Sequence, residues 1–338
     1  MNENPSPSQQ TKFLQVISPP VLVKESLISK LKEEKKLALI IDLDKTLIDT
    51  FILDSASKSE EWISRDESHR SEFFLFELSQ AFFLVRFRPG LHEFLTTLSQ
   101  KYYLCIYTLS QRSYASIVLN AIDPDGCFFG DRILCADDRP DHSRKCNAHA
   151  DPEVDHLVVA LDDSLLAWTH PDGSFFPSLI QVEPFFFFNI DKHEINPRAS
   201  VDTALYRMIH VLEDVYNIFF EKNFSHTMLA VNEIKKKIFE GCEICLENYS
   251  EENYSIIQSF GGNPHFAFVP YATHIIVSSS NSSMAKKAME YQGMYVLGES
   301  WWKLSYLSFI KMNEHLFSIP NIPCPTNGPK KREHIPLD

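Results

Sequence analysis

Glycine is scarce in this chain, with 10 residues in 338. That excludes collagen-like and flexible low-complexity architectures. The seven cysteines are odd in number and scattered, and the closest pair, Cys242 and Cys245, stands alone. Neither a disulfide framework nor a structural zinc site is expected from that spacing. Reduced thiols fit the cytosol or the nucleus. No apolar run approaches the ~18 residues of a membrane span, so no membrane insertion is expected. The opening stretch Met1–Lys12 is polar and lacks the apolar centre of a signal peptide. Positive charge is also short: Lys and Arg total 32 against 45 Asp and Glu, a net charge of −13. Such a surface is a poor partner for bare nucleic acid, because phosphate neutralisation needs Lys and Arg.

What the chain does have is an aromatic-rich apolar fraction, 44% of residues with 26 Phe among them. That is ample for a globular core, and the length suggests two domains. Residues 1–36 read as a flexible leader followed by a short helix. Then Leu37–Ile41 forms a continuous apolar run that ends at Asp42. Tyr103–Tyr107 ends likewise at Thr108, and Leu157–Leu161 at Asp162 and Asp163. Short apolar runs of this kind are expected of strands buried on both faces. Helical stripes alternate with them: Leu91, Phe94, Leu95 and Leu98, then Tyr114, Ile117, Val118 and Ala121. The fold class expected is therefore α/β with a parallel sheet. In such sheets ligands lie beyond the carboxyl ends of the strands, where all three runs present a polar residue.

Asp42 and Asp44 leave the first strand at i and i+2 and aim at one crevice. Like charges this close call for a cation. Magnesium suits, since it takes one or two carboxylates and keeps waters for phosphate oxygens. A carboxylate can also attack phosphorus and form an aspartyl-phosphate. A pair of turn or helix-cap aspartates is the competing reading for an isolated D-x-D-x-T. The other strand ends add Thr108 as a hydroxyl donor, Asp162 and Asp163 as further carboxylates, and Lys145 as a counter-charge for a phosphoryl group.

Asp42-Leu43-Asp44-Lys45-Thr46-Leu47, Thr108, Lys145 and Asp162-Asp163 fall in the order of the four haloacid-dehalogenase superfamily motifs. The strings 88–95, 106–115, 123–134 and 179–187 are similar to one branch, the RNA polymerase II C-terminal-domain phosphatases of the transcription-factor-IIF-associating type. The resemblance implies a Rossmann-like catalytic domain over residues 37–190, with a linking helix over 191–233. It implies a magnesium-dependent protein-serine/threonine phosphatase with Asp42 as nucleophile and Asp44 as acid and then base. Thr108 and Lys145 would hold phosphoryl oxygens. Asp42, Asp44 through its backbone carbonyl, and Asp163 would hold the metal. Asp162 would orient Lys145 or share the metal, and Arg112 is a candidate substrate contact. Arg86 and Arg88 are further local basic residues for a phosphorylated chain. Several positions depart from the family pattern: Lys45 stands where members carry Gln, Glu or His, Asp49 where they carry His, Leu109-Ser110 where they carry a small or Met-Gly pair, and Ser164 where they often carry Arg.

Residues 234–317 resemble a BRCT domain, a smaller α/β unit, through Gly261-Gly262, the strand Thr273–Val277 and Trp301. Residues 237–244 read as a strand and turn. Glu240 stands where phosphopeptide-binding members carry Ser or Thr, and a carboxylate there would repel phosphate. The unit reads as a docking module, with Lys286 and Lys287 on a solvated face. Residues 318–338 read as an extended tail, whose basic stretch 329–332 could assist nuclear import. The expected substrate is the phosphorylated repeat tail of RNA polymerase II, with transcription factor IIF as a candidate partner and the nucleus as the location. A small-molecule phosphatase of the same superfamily and an inactive binding module for the same tail stand as alternatives.

Overall fold

The computed structural model describes residues 22–139, 144–145, 150–151, 153–170, 172–189, 191–291 and 293–325. The expected leader (1–20) and the basic stretch 329–332 lie outside these. A short helix α1 (Ile28–Glu33) precedes β1 (Leu37–Ile41). Next come β2 (Ile48–Leu53), α2 (Ser59–Ile63), β3 (Phe73–Leu78), β4 (Ala81–Phe87) and α3 (Leu91–Ser99). Then follow β5 (Tyr102–Tyr107), α4 (Arg112–Ile122), β6 (Ile133–Leu134), β7 (Val158–Asp162) and β8 (Leu179–Gln181). A small antiparallel pair, β9 (Phe188–Asn189) and β10 (Glu194–Ile195), leads to α5 (Ala204–Glu221) and α6 (Thr227–Lys235). The C-terminal unit holds β11 (Glu243–Leu246), α7 (Glu251–Ser259), β12 (Asn263–His265), β13 (His274–Ile276), α8 (Ser283–Glu290), β14 (Tyr295–Leu297) and α9 (Ser300–Ser308).

The core sheet runs β6-β5-β1-β7-β8, all parallel. Every residue of β1 is buried, because β5 and β7 flank it and helices cover both faces. Parallel strands all end on the same side, so Asp42, Thr108 and Asp162 arrive at one rim. The α3 stripe is as expected: Leu91, Phe94, Leu95 and Leu98 are its buried residues. The α4 stripe is rotated from expectation. Its buried face is Ala115, Val118 and Leu119, which leaves Tyr114 on the shoulder of the helix.

A second sheet, β2-β4-β3, is antiparallel and stands over the carboxyl end of β1. Its hairpin turn, Ser79 and Gln80, has φ of 52° and 66°. Such a turn normally carries Gly or Asn, so the sequence hides it. Trp62, Leu84, Phe185, Phe187 and Phe188 form a separate aromatic core beneath this sheet. Arg86 and Arg88 serve the fold and not an incoming chain. Arg86 is fully buried between the Phe73 and Phe187 rings and pairs with Asp66 and Glu72. Arg88 grips Asp202 at 2.9 and 3.1 Å and donates to the carbonyls of Thr46 and Glu183. Buried guanidinium groups persist only with such partners.

The C-terminal unit is a parallel sheet in the order β12-β11-β13-β14. Its first strand begins at Glu243, not at Lys237, and residues 237–241 form turns and bends. Phe239 is drawn out of any strand because its N–H donates to Phe260 O and its ring packs on Trp301. Gly261 has φ of +86°, and a Cβ there would lie 1.9 Å from Lys236 O, so only glycine fits. Trp301 is core: it stacks on His274 at 4.4 Å and donates to Met312 O. One hydrophobic cluster runs through both units by way of α5, α6 and α9.

Candidate active site

Asp42 follows β1 and is still held in the sheet by its N–H on Leu161 O at 3.0 Å. It is buried. Lys145 brings its ammonium to 2.5 Å from Asp42 Oδ1 and 2.6 Å from Asp162 Oδ2. Asp162 also accepts from Trp168 Nε1 and Ser164 N, both at 2.8 Å, which fix the carboxylate that holds Lys145. Burial works against charge on Lys145, but Asp162 and Asp42 outweigh it and hold the amine protonated above its ordinary range.

Asp163 continues from β7 into the crevice. Its N–H donates to Thr46 Oγ1 at 3.1 Å, and Gln181 Nε2 donates to its carbonyl at 2.9 Å. Burial first, and the neighbouring Asp162 second, push its carboxyl up to about 6. Oxygens of Asp42, Asp162 and Asp163 all lie within 4.8 Å of one another. A buried set of hard oxygen donors with one ammonium among three carboxylates is short of positive charge. These residues fit a divalent cation such as magnesium, which relieves that repulsion.

The Asp44 side chain is held by two hydroxyls. Tyr114 OH donates to Oδ1 and Ser110 Oγ donates to Oδ2, each at 2.7 Å. The Asp44 carboxylate borders a groove of about 460 Å³, lined by Thr50, Ile52, Phe83, Ser110 and Tyr114 between the β2-β4-β3 sheet and α4. Thr108 ends β5, is buried, and accepts from Ser110 N at 3.0 Å. Arg112 opens α4 but is turned aside: it pairs with Asp138 and donates to Ile133 O at 2.9 Å.

Two of the departures from the family pattern, Lys45 and Asp49, meet each other. Lys45, in left-handed backbone at φ 65°, pairs with the buried Asp49. Asp49 also accepts the N–H groups of Thr50, Phe187 and Phe188 at 2.8, 2.7 and 3.0 Å. The pair thereby ties the motif loop to the aromatic core under the second sheet. Sequence reasoning did not assign roles to Ser110, Tyr114 or Trp168. The only available signal was residue type: a Tyr on a helix stripe and a Trp after an aspartate pair both carry a polar atom that needs a partner when buried.

The pattern of the NLI interacting factor-like phosphatases matches residues 37–218, more than half of the chain. The chain belongs to that family. RNA polymerase II C-terminal domain phosphatase-like 4 of Arabidopsis thaliana is 25% identical over 324 residues, covering 86% of this chain and 72% of its own length. An RNA polymerase II C-terminal domain phosphatase of Caenorhabditis elegans is 25% identical over 325 residues, covering 87% of this chain and 47% of its own. The solved structure of Fcp1, an essential RNA polymerase II CTD phosphatase, superposes with a TM-score of 0.70 at 24% identity, covering 87% of this chain and 99% of that one. The fold, a parallel sheet with helices followed by a smaller parallel α/β unit, is thus the fold of that solved structure, and the α/β class with a parallel sheet is as expected from the sequence.

Proposed function

We propose that this phosphatase hydrolyses phosphoserine esters in the C-terminal repeats of RNA polymerase II, with magnesium, through an aspartyl-phosphate on Asp42. The carrying observation is the division of labour between two neighbouring carboxylates. Asp42 is buried against an ammonium, while Asp44 is held by two hydroxyls beside an open groove. The names of the relatives support the substrate.

In the first step an Asp42 oxygen attacks phosphorus as the serine oxygen leaves with a proton from Asp44. One P–O bond forms and one breaks. Thr108 and Lys145 hold phosphoryl oxygens, so the developing charge meets preorganised donors. In the second step Asp44, now ionised, takes a proton from water as the water oxygen attacks phosphorus. Inorganic phosphate leaves and Asp42 is restored. One group acting first as acid and then as base is self-consistent over the cycle. Asp42, Asp163 and the Asp44 carbonyl would hold magnesium, which supplies positive charge against the carboxylates and the phosphate. Asp162 is then a positioning residue for Lys145.

Against the alternatives, the cover over the crevice among the described residues is the small β2-β4-β3 sheet, and the groove beside Asp44 is open at one side, which suits an extended peptide. The same reading puts the protein in the nucleus, with transcription factor IIF as the partner the resemblance implies. The test is phosphate release from repeat peptides phosphorylated singly at each serine, with the Asp42→Asn variant alongside. Wild-type release with magnesium and none from the folded variant is expected. Equal release from the variant would remove Asp42 as nucleophile, and activity confined to small phosphate esters would remove the peptide substrate.

A further inference from the structure

Away from the crevice, a cavity of about 260 Å³ lies where the catalytic unit meets the C-terminal unit. Leu165 and Phe176 wall it on one side, Ile256, Phe260 and Tyr306 on the other, and Lys235 at the end of α6 closes it. A cavity of ~150 Å³ already holds benzene, so this one has room for an aryl ring with a short chain.

Lys235 is the charged group of the lining, and no carboxylate lines the cavity among the described residues. The residue is half-buried. Its hydrogen bond is to Leu179 O at 2.9 Å, and its ammonium sits 5.7 Å from the Phe260 ring centre. An ammonium has three donors, and one carbonyl uses one of them. Burial without a counter-charge pulls the amine down to about 8. A half-buried cation with one acceptor among the described residues, at the edge of an apolar cavity, is the complement of an apolar anion. A single ammonium with no arginine fork suits a monoanion better than a phosphate.

We propose that this cleft binds a small organic carboxylate with an apolar body, its carboxylate on Lys235 and its frame against Phe176, Phe260 and Tyr306. The site backs onto the catalytic loop. Gln181, in its lining, donates to the Asp163 carbonyl. Phe176 packs on Trp168 at 5.3 Å, and Trp168 holds Asp162. A bound acid would therefore touch both units and the rear support of the two aspartates.

The test is calorimetric titration of the full chain with phenylbutyrate and with its uncharged counterpart phenylbutanol. The acid should bind about tenfold or more tightly than the alcohol, the usual value of a charge-assisted contact. Lys235→Met keeps the shape of the side chain and should erase that preference while leaving alcohol binding within about twofold. Ser259→Trp, at the exposed mouth on α7, should weaken both probes without touching the core. Thermal melting of each variant establishes that it is folded. Equal binding of acid and alcohol to the wild type, a preference that survives in Lys235→Met, full binding to Ser259→Trp, or no binding of either probe would each overturn the proposal. None of these readouts depends on phosphatase activity, so they stand apart from the reading of the active site.

Discussion

Tyr114→Phe removes one oxygen from the crevice and little else. The ring stays, packed against Phe76 and Phe83 at 6.0 and 5.7 Å. What goes is the hydroxyl that donates to Asp44 at 2.7 Å and meets Thr50 Oγ1 at 2.7 Å. Burial, and then the charge of Asp44, hold this phenol protonated far above its ordinary range, so it is a donor at any working pH. A hydrogen bond to a charged group contributes about 1.5–3 kcal/mol, which is about 10- to 150-fold in rate if it is needed in the transition state. Ser110 still holds the other carboxylate oxygen, so the low end is expected. The leaving group separates this effect from a folding defect. Serine oxygen needs a proton as it leaves, whereas a nitrophenolate does not. The variant should therefore lose about tenfold in kcat on a phosphoserine peptide. On nitrophenyl phosphate it should show an unimpaired burst followed by a slowed steady state, because water activation still relies on Asp44. Rapid-quench kinetics on both substrates read this directly. Wild-type turnover on the peptide, or an equal loss in the burst, would refute the positioning role of Tyr114.

Magnesium should raise the melting temperature of the wild type, by about 2.7 kcal/mol of stability at a hundredfold excess over Kd, and Asp163→Asn should abolish that rise. No response to magnesium in the wild type would remove the metal from the site. Asp49→Ala strands the buried N–H groups of Phe187 and Phe188, at about 1–3 kcal/mol each, while Lys45→Ala leaves Asp49 with three donors. Chemical denaturation should therefore show the first variant far weaker than the second, and equal losses would refute the argument. In the C-terminal unit, burial holds His274 below 6.5; burial works to raise Glu314, but the His274 hydrogen bond, a backbone hydrogen bond and the Lys311 charge together outweigh it and keep Glu314 at about 2, against an ordinary 4.5. In each case the unfolded chain takes up the proton first, so stability should fall as pH drops below 6.5 and again from 4.5 toward 2, and Glu314→Gln should flatten the lower window. A chain ending at Phe224 loses α6, whose Val231 and Ile234 each contribute roughly 1.5–3 kcal/mol of burial and whose Thr227 bonds Val158 O and Ser178. It should lose its cooperative melt, and a folded, active product would show that α6 is dispensable to the catalytic unit.

The central sheet was legible because its strands are buried on both faces, and such strands read as unbroken apolar runs whatever lies around them. Leu37–Ile41 carries that signal without any help from tertiary contacts. The β2-β4-β3 sheet was not legible for the opposite reason. Phe73–Leu78 and Ala81–Phe87 are half-buried but apolar on both faces, so they do not alternate, and the turn between them has neither Gly nor Asn. Arg86 and Arg88 look like surface charge in sequence. Their acids lie 14 to 114 residues away, and no local rule reaches that far.

The site divides along the same line. Asp42 and Asp163 leave the ends of legible strands, so topology alone brings them together. Tyr114 depends on the rotation of one helix. Read by periodicity it belongs with Ile117, Val118 and Ala121 on the core side. The structure turns α4 so that Ala115, Val118 and Leu119 take the core and Tyr114 overhangs the crevice. The turn is favoured because small Ala115 lets the helix approach the sheet closely, which a Tyr at that position would prevent. The hydroxyl then needs a buried partner, and the nearest acceptors are Asp44 and Thr50 on the loop and strand that leave β1. A misplaced stripe of one residue thus separates a core tyrosine from one that positions the acid.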